Sequence, residues 1–261
     1  MKHPFRKLIL ALKLALISFL PLLAIDADAQ LTARANHDHI TVDFFYHGGT
    51  VSVSGISDPG TDLVIKVASE DAHQNLRKKG KVGGLLWMTV GELEVENVPN
   101  FYEIFSTKKL DDIISRDEME KHGIGFPALR QHAVLNVATE EEKSKWFDEF
   151  VRFKSDSNLY AINSGNITLS EKNGMQNYYI LTRWPYQAPP GNYTVTVYAI
   201  KEGKVIETAT SNVNVEQVGI VKALATMAKS NGALYGILSI LAALGAGFGV
   251  GLIFRKSEGA H

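Results

Sequence analysis

Cysteine is absent from this chain of 261 residues. That absence excludes disulfides, thiol nucleophiles, Cys-ligated zinc or iron–sulfur sites and a cysteine-linked lipid anchor. A charge excess is absent too. Lys and Arg number 27 against 28 Asp and Glu, a formal net charge of -1, which argues against a nucleic-acid binder and its basic face. The chain also has no G-x-S-x-G, no H-E-x-x-H and no P-loop spacing. The carboxylates Asp111, Asp112, Asp117, Glu118 and Glu120 read as a solvated helical face. His37, His39 and His47 offer imidazoles near Asp38 and Asp43, but His39 and His47 would lie some ~26 Å apart on one strand. The expectation is therefore no enzymatic activity, no cofactor and no metal site.

Long apolar runs are present, and they stand at both ends. Leu234 to Phe254 carries no charge and no proline, and at ~1.5 Å per residue it reaches roughly the ~30 Å of a bilayer core. Arg255 and Lys256 close it. At the other end a basic leader (Lys2, Arg6, Lys7, Lys13) precedes an apolar run from Leu14 to Ile25. Ala27-Asp28-Ala29 then supplies the small residues that signal peptidase requires, so residues 1–29 read as a signal peptide and Gln30 as the mature start. An uncleaved anchor is the alternative. Both ends imply an inner (cytoplasmic) membrane protein with one span: a large periplasmic domain, a transmembrane helix at 234–254 and a cytoplasmic tail at 255–261.

Between the ends, roughly 190 residues suffice for a real core. Residues 30–38 read as a polar linker and 39–217 as a β-rich domain. His39 to Tyr46 alternates, Gly48-Gly49 signals a hairpin, and Thr50 to Ile56 returns; Asp58-Pro59-Gly60 then turns into Asp62 to Ala68. These predict the first three strands of one antiparallel sheet. Val82 to Val90 is nearly all apolar and predicts a central strand buried on both faces, anchored by Trp87. A helical segment is expected at about 107–154: Leu110, Ile113 and Ile114 recur at helical spacing up to a stop at Gly123. Thr139 to Glu142 is a capping box for a helix carrying Trp146, Phe147, Phe150 and Val151 on one stripe. Further strands follow at 166–170, 177–183, 193–200 and 204–215, with a hairpin at Glu202-Gly203 and a juxtamembrane stretch at 218–233. The fold expected is mostly β, an immunoglobulin-like antiparallel β-sandwich with a helical insertion and one C-terminal transmembrane helix.

Five segments carry a family resemblance: HGGTVSVSG (47–55), KGKVGGLLWMTVGE (79–92), VPNFYEIFST (98–107), PPGNYTVTVY (189–198) and YGILSILAALGAGFGVGLIF (235–254). Together they resemble a family of single-pass transmembrane proteins first defined in alphaproteobacteria, whose members lack an assigned activity. The resemblance implies a periplasm-facing domain on one helix. It also implies a polytopic permease as partner, because such genes often stand beside permeases resembling sulfite exporters. It carries over no catalytic residue.

Two residue groups remain as candidate sites. Arg77, Lys78, Lys79 and Lys81 form a basic loop with Gly80, Gly83 and Gly84, suited to a small anion or to anionic headgroups. The plainer reading is a solvated loop whose charges guard a hydrophobic strand. Gly245, Gly247, Gly249 and Gly251 mimic a dinucleotide fingerprint but follow no strand. Their i, i+4 spacing is a small-xxx-small pattern for helix packing, against a permease or against a second copy. The function expected is a membrane-anchored periplasmic accessory or assembly protein; a periplasmic small-anion binding or sensing domain is the alternative. A reporter active only in the periplasm, fused after His261, should be silent in cells, and activity there would reverse the orientation.

Overall fold

In the computed structural model, which describes residues 30–255, the alternating segments form strands that sort into three sheets. The expected signal peptide, and the expected tail beyond Arg255, lie outside the described residues. The first sheet is antiparallel throughout. It runs β1 (Arg34–Ala35), β3 (Gly49–Ser57), β11 (Met175–Trp184), β10 (Thr168–Lys172). The second has six strands in the order β2 (His39–Val42), β13 (Lys204–Gln217), β12 (Gly191–Lys201), β4 (Asp62–Ser69), β7 (Tyr102–Ser106), β9 (Tyr160–Ser164). Its outer pairs, β13 with β2 and β7 with β9, are parallel. The third sheet is a long hairpin of β5 (Asp71–Val82) and β6 (Leu86–Pro99), extended by β8 (Val134–Leu135).

The six-stranded sheet is covered on both faces, so its middle strands are its most apolar. In β4, Leu63, Val64, Ile65 and Val67 are all buried; in β12, Tyr193, Val195, Val197, Tyr198, Ala199 and Ile200 are. One face meets the four-stranded sheet. Trp184 of β11 stacks on Phe101, with centroids 5.1 Å apart, and meets Tyr193 edge-on at 4.7 Å. The other face meets the short helices α1 (Leu110–Ile113), α2 (Arg116–His122) and α3 (Phe126–His132). There the Tyr102 hydroxyl donates to the Gly123 carbonyl and accepts from the Gly125 N–H, both at 2.8 Å, and Lys66 donates to the His122 carbonyl at 2.6 Å.

Local signals in the helical segment work as the sequence predicts. Gly123 ends α2 in the left-handed region, at φ 59°. Thr139 caps α4 (Glu140–Asp156), its hydroxyl accepting from the Glu142 N–H at 3.2 Å. The Glu142 carboxylate reaches back to the Ala138 N–H instead of that of Thr139. Of the expected stripe on α4, Phe147 and Phe150 are buried and Trp146 and Val151 pack partly against the core. After β13 the chain continues through α5 (Gly219–Ser230) into α6 (Gly232–Arg255).

Four expectations are corrected. Residues 30–38 are not a free linker, because Leu31 is buried and the Thr32 N–H donates to the Ile56 carbonyl at 3.0 Å. Gly48-Gly49 does not close a hairpin between the first two strands. The Asp43 carboxylate accepts from the Phe45 N–H at 2.9 Å, β2 turns away after Val42, and β2 and β3 enter different sheets. The fold is mixed α/β with two parallel strand pairs, so it is not a purely antiparallel sandwich. Finally, the apolar run 82–90 is exposed and not a buried central strand: Leu85 is 87% exposed and Trp87 67%. Gly83 and Gly84, at φ 61° and 77°, fold the run back on itself as the tip of the β5–β6 hairpin. The tryptophan that anchors the core is Trp184.

One cation lies inside this core. Lys154 is 4% exposed, between the rings of Phe150 and Tyr160, and donates to the Asn100 carbonyl at 3.1 Å. Burial pushes its pKa down to about 8 from 10.5. Across that window the folded state has released a proton that the unfolded chain still holds, so stability rises with pH. Measured by thermal denaturation, the wild type should gain on Lys154→Met as pH climbs from about 8 to 10.5. A gap that does not change with pH would show that the amine is not desolvated.

Candidate functional site

The apolar helix comes first, because the domain is built onto it. Strand β13 passes through a single residue, Val218, whose N–H donates to the Val42 carbonyl at 3.0 Å, and α5 begins at once. Within α6, Gly232–Gly251 is long and apolar enough to cross a membrane, and none of it is buried against the domain. The glycines expected as a packing face stand open: a Cβ built on Gly245, Gly247, Gly249 or Gly251 meets no atom within 4 Å.

The basic group is not a loop. Arg77, Lys78, Lys79 and Lys81 all lie on β5, where their exposure alternates. Lys78 turns to α4 and sits 4.5 Å from the Trp146 ring centre. Lys79 donates to the Thr89 hydroxyl at 3.1 Å, and Lys81 lies over the Trp87 ring at 5.5 Å. Arg77, Lys78 and Lys79 line a groove of about 320 Å³ against α4. Its other walls are Leu76, Leu93, Trp146, Phe150 and Phe153, and Glu149 shares it. Inside this groove the apolar floor and the Glu149 carboxylate disfavour a small anion.

A cleft of about 860 Å³ opens elsewhere, between β3 and β11 of one sheet and β7 and β9 of the other. Glu103 is the carboxylate that lines it. Burial raises its pKa above the ordinary 4.5, and two hydrogen bonds partly offset this. Asn163 of β9 donates to one carboxylate oxygen at 2.8 Å and the Thr182 hydroxyl of β11 to the other. The carboxylate thus bridges both sheets. Trp184 also lines this cleft, its indole N–H buried with no hydrogen-bond partner among the described residues. Of the histidines weighed from sequence, His47 lines the cleft while His39 lies 3.7 Å from the Glu216 carboxylate, and no metal-binding cluster occurs among the described residues.

The family described as "Putative transmembrane protein (Alph_Pro_TM)" matches residues 30–256. The chain belongs to this family. The match takes in the whole domain and all of α6, so the resemblance carried by the five sequence segments holds across the chain. No curated protein matches.

For this family member, sequence reasoning missed Glu103 and the cleft, because one acid inside VPNFYEIFST carries no spacing signal. The alternation of β7 was available: Glu103 shares a strand face with the apolar Phe101 and Phe105, which is where a buried acid would stand out. Above 4.5 the folded state holds a proton longer than the unfolded chain does, so Glu103 lowers stability as pH rises through its folded value. Glu103→Gln, which keeps an acceptor and a donor at the bridge, should therefore gain melting temperature on the wild type as pH rises from 4.5 to 8. Parallel pH profiles would show that the carboxylate carries no burial penalty.

Proposed function

We propose that this chain is a non-enzymatic accessory or assembly protein of the inner membrane, with its domain in the periplasm and its C-terminus in the cytoplasm. It packs α6 against a polytopic permease, of the sulfite-exporter type that the family resemblance implies, or against a second copy. The observation that carries the reading is α6 itself. Over Gly232–Gly251 it is apolar on all sides and leaves its glycines uncovered, and at ~1.5 Å per residue it has bilayer length. Membrane helices associate where small residues let backbones approach, so an open Gly-x-x-x-Gly pair is a means of recruiting another helix. The orientation is supported by the basic leader and by Arg255-Lys256 after the span.

Within the domain we read the two facing sheets as an immunoglobulin-like sandwich, with helices over its second face. The Tyr193 hydroxyl donates back to the Pro189 carbonyl four residues upstream, at the entry to β12. A tyrosine that ties a strand to the corner before it is a feature of that fold.

The test is recovery of a partner by the full chain. A tagged chain solubilised from native membranes should bring down a polytopic permease, or a second copy carrying a different tag. Gly247→Leu fits α6 by itself, since the site is open, and should reduce that recovery several-fold with the domain's melting temperature unchanged. Equal recovery by the variant would mean that α6 is an anchor and nothing more.

A further inference from the structure

The exposed tip of the β5–β6 hairpin is the least ordinary surface on the domain. Val82, Leu85, Leu86, Trp87, Met88 and Val90 are each at least half exposed, in a span of nine residues. A contiguous apolar patch of this kind marks an interaction site. From Arg77 to Gly91 the hairpin carries four cationic side chains and no acidic one; the first acid is Glu92. Its inner half is buttressed: Leu93 and Val95 are buried, β8 pairs with Val95 and Glu96, and α4 lies alongside. The outer half has no such support.

Strand direction decides where the hairpin starts. Strands β4 and β13 flank β12, each antiparallel to it, so they run the same way and end at the same end of the sheet. Ser69 and Val213 both pair with Tyr193, and Gln217 pairs with Val42. The hairpin root at Glu70 and Asn100, the exit to α5 and the Phe44–Phe45 turn therefore share one end. Polar contacts tie them together. Asn214 donates to the Asn192 side chain at 2.7 Å, Asn192 donates to the Glu70 carboxylate at 3.3 Å, and the Ser69 hydroxyl accepts from the Asn100 N–H at 2.7 Å. Phe44 and Phe45 are exposed at 71% and 76%. Strand β5 is 12 residues long, roughly 40 Å at ~3.3 Å each, whereas α5, also 12 residues, spans at most roughly 18 Å. The hairpin's reach therefore exceeds the separation that α5 sets between the domain and the start of α6.

We propose that the hairpin tip, Val82–Val90, inserts into the headgroup zone of the anionic phospholipid leaflet that α6 enters. Trp87 and its aliphatic neighbours take the apolar depth, and Arg77, Lys79 and Lys81 meet the phosphates. The occupant follows from the pairing of the two chemistries. Tryptophan favours the membrane–water interface, and clustered cations favour anionic lipid. The domain's own route to the membrane starts at the hairpin's root. The proposal rests on α6 being a span, and the experiment separates the two.

Because the chain has no cysteine, Leu86→Cys gives one labelling site on the full-length protein, and Glu171→Cys on exposed β10 gives a control. Each is labelled with an environment-sensitive fluorophore and reconstituted into phosphatidylcholine vesicles with or without phosphatidylglycerol. Flotation with the vesicles reports the span. In floated vesicles containing phosphatidylglycerol, lipid-borne quenchers should quench the label at 86 several-fold more than at 171. Arg77→Glu with Lys79→Glu and Lys81→Glu should remove most of that difference. Equal quenching at both positions in floated vesicles overturns the tip insertion and leaves the span intact. Chain that fails to float overturns both. Quenching at 86 that is the same without phosphatidylglycerol overturns the role given to the cations.

Discussion

Two-sided burial of the six-stranded sheet is the constraint on which the rest depends. Strands β4 and β12 are covered by the four-stranded sheet on one face and by short helices on the other. Burying a large apolar side chain contributes roughly 1.5–3 kcal/mol, and these two strands hold much of the core. The stack of Phe101, Trp184 and Tyr193 closes the contact between sheets, and Tyr102 closes the contact with the helices. A domain without disulfides has this burial as its chief source of stability.

Burial on both faces forces polar groups into defined places. Glu103 accepts from a strand of each sheet, and Gln176 donates to the Ser57 hydroxyl and the Thr61 carbonyl across the other end of the same interface. Lys154 satisfies the Asn100 carbonyl where the hairpin rejoins the sheet. Each buried polar group is costly if left unpaired, so these contacts also fix which strands face each other. The two ionisable ones, Glu103 and Lys154, hold these contacts at an energetic penalty that depends on pH.

The same sheet sets the molecule's polarity. Because β4 and β13 run in one direction, the hairpin and the path to α6 leave the sheet together, with the Phe44–Phe45 turn beside them. The hairpin that carries the exposed apolar tip and four cations is thus rooted at the end of the sheet from which α5 leads to α6. The cleft around Glu103 opens between the sheets instead, and its acid is already bridged by Asn163 and Thr182.

Features governed by adjacent residues were determined by the sequence alone. The long apolar helix, the turns at Asp58-Pro59-Gly60 and Glu202-Gly203, the stop at Gly123 and the cap at Thr139 depend on local composition, on backbone preference or on one side chain. Most strands were legible for the same reason, since alternation is a property of neighbours. Which sheet each strand joined was not. His39–Val42 and Gly49–Ser57 are close in sequence yet lie in different sheets, because each pairs with a strand more than a hundred residues away. The run 82–90 shows the limit most plainly. Apolar side chains one after another are equally consistent with a strand inside a core and with an exposed hairpin tip. Only the tertiary structure, by leaving that tip outside and rooting it beside the path to α6, separated the two.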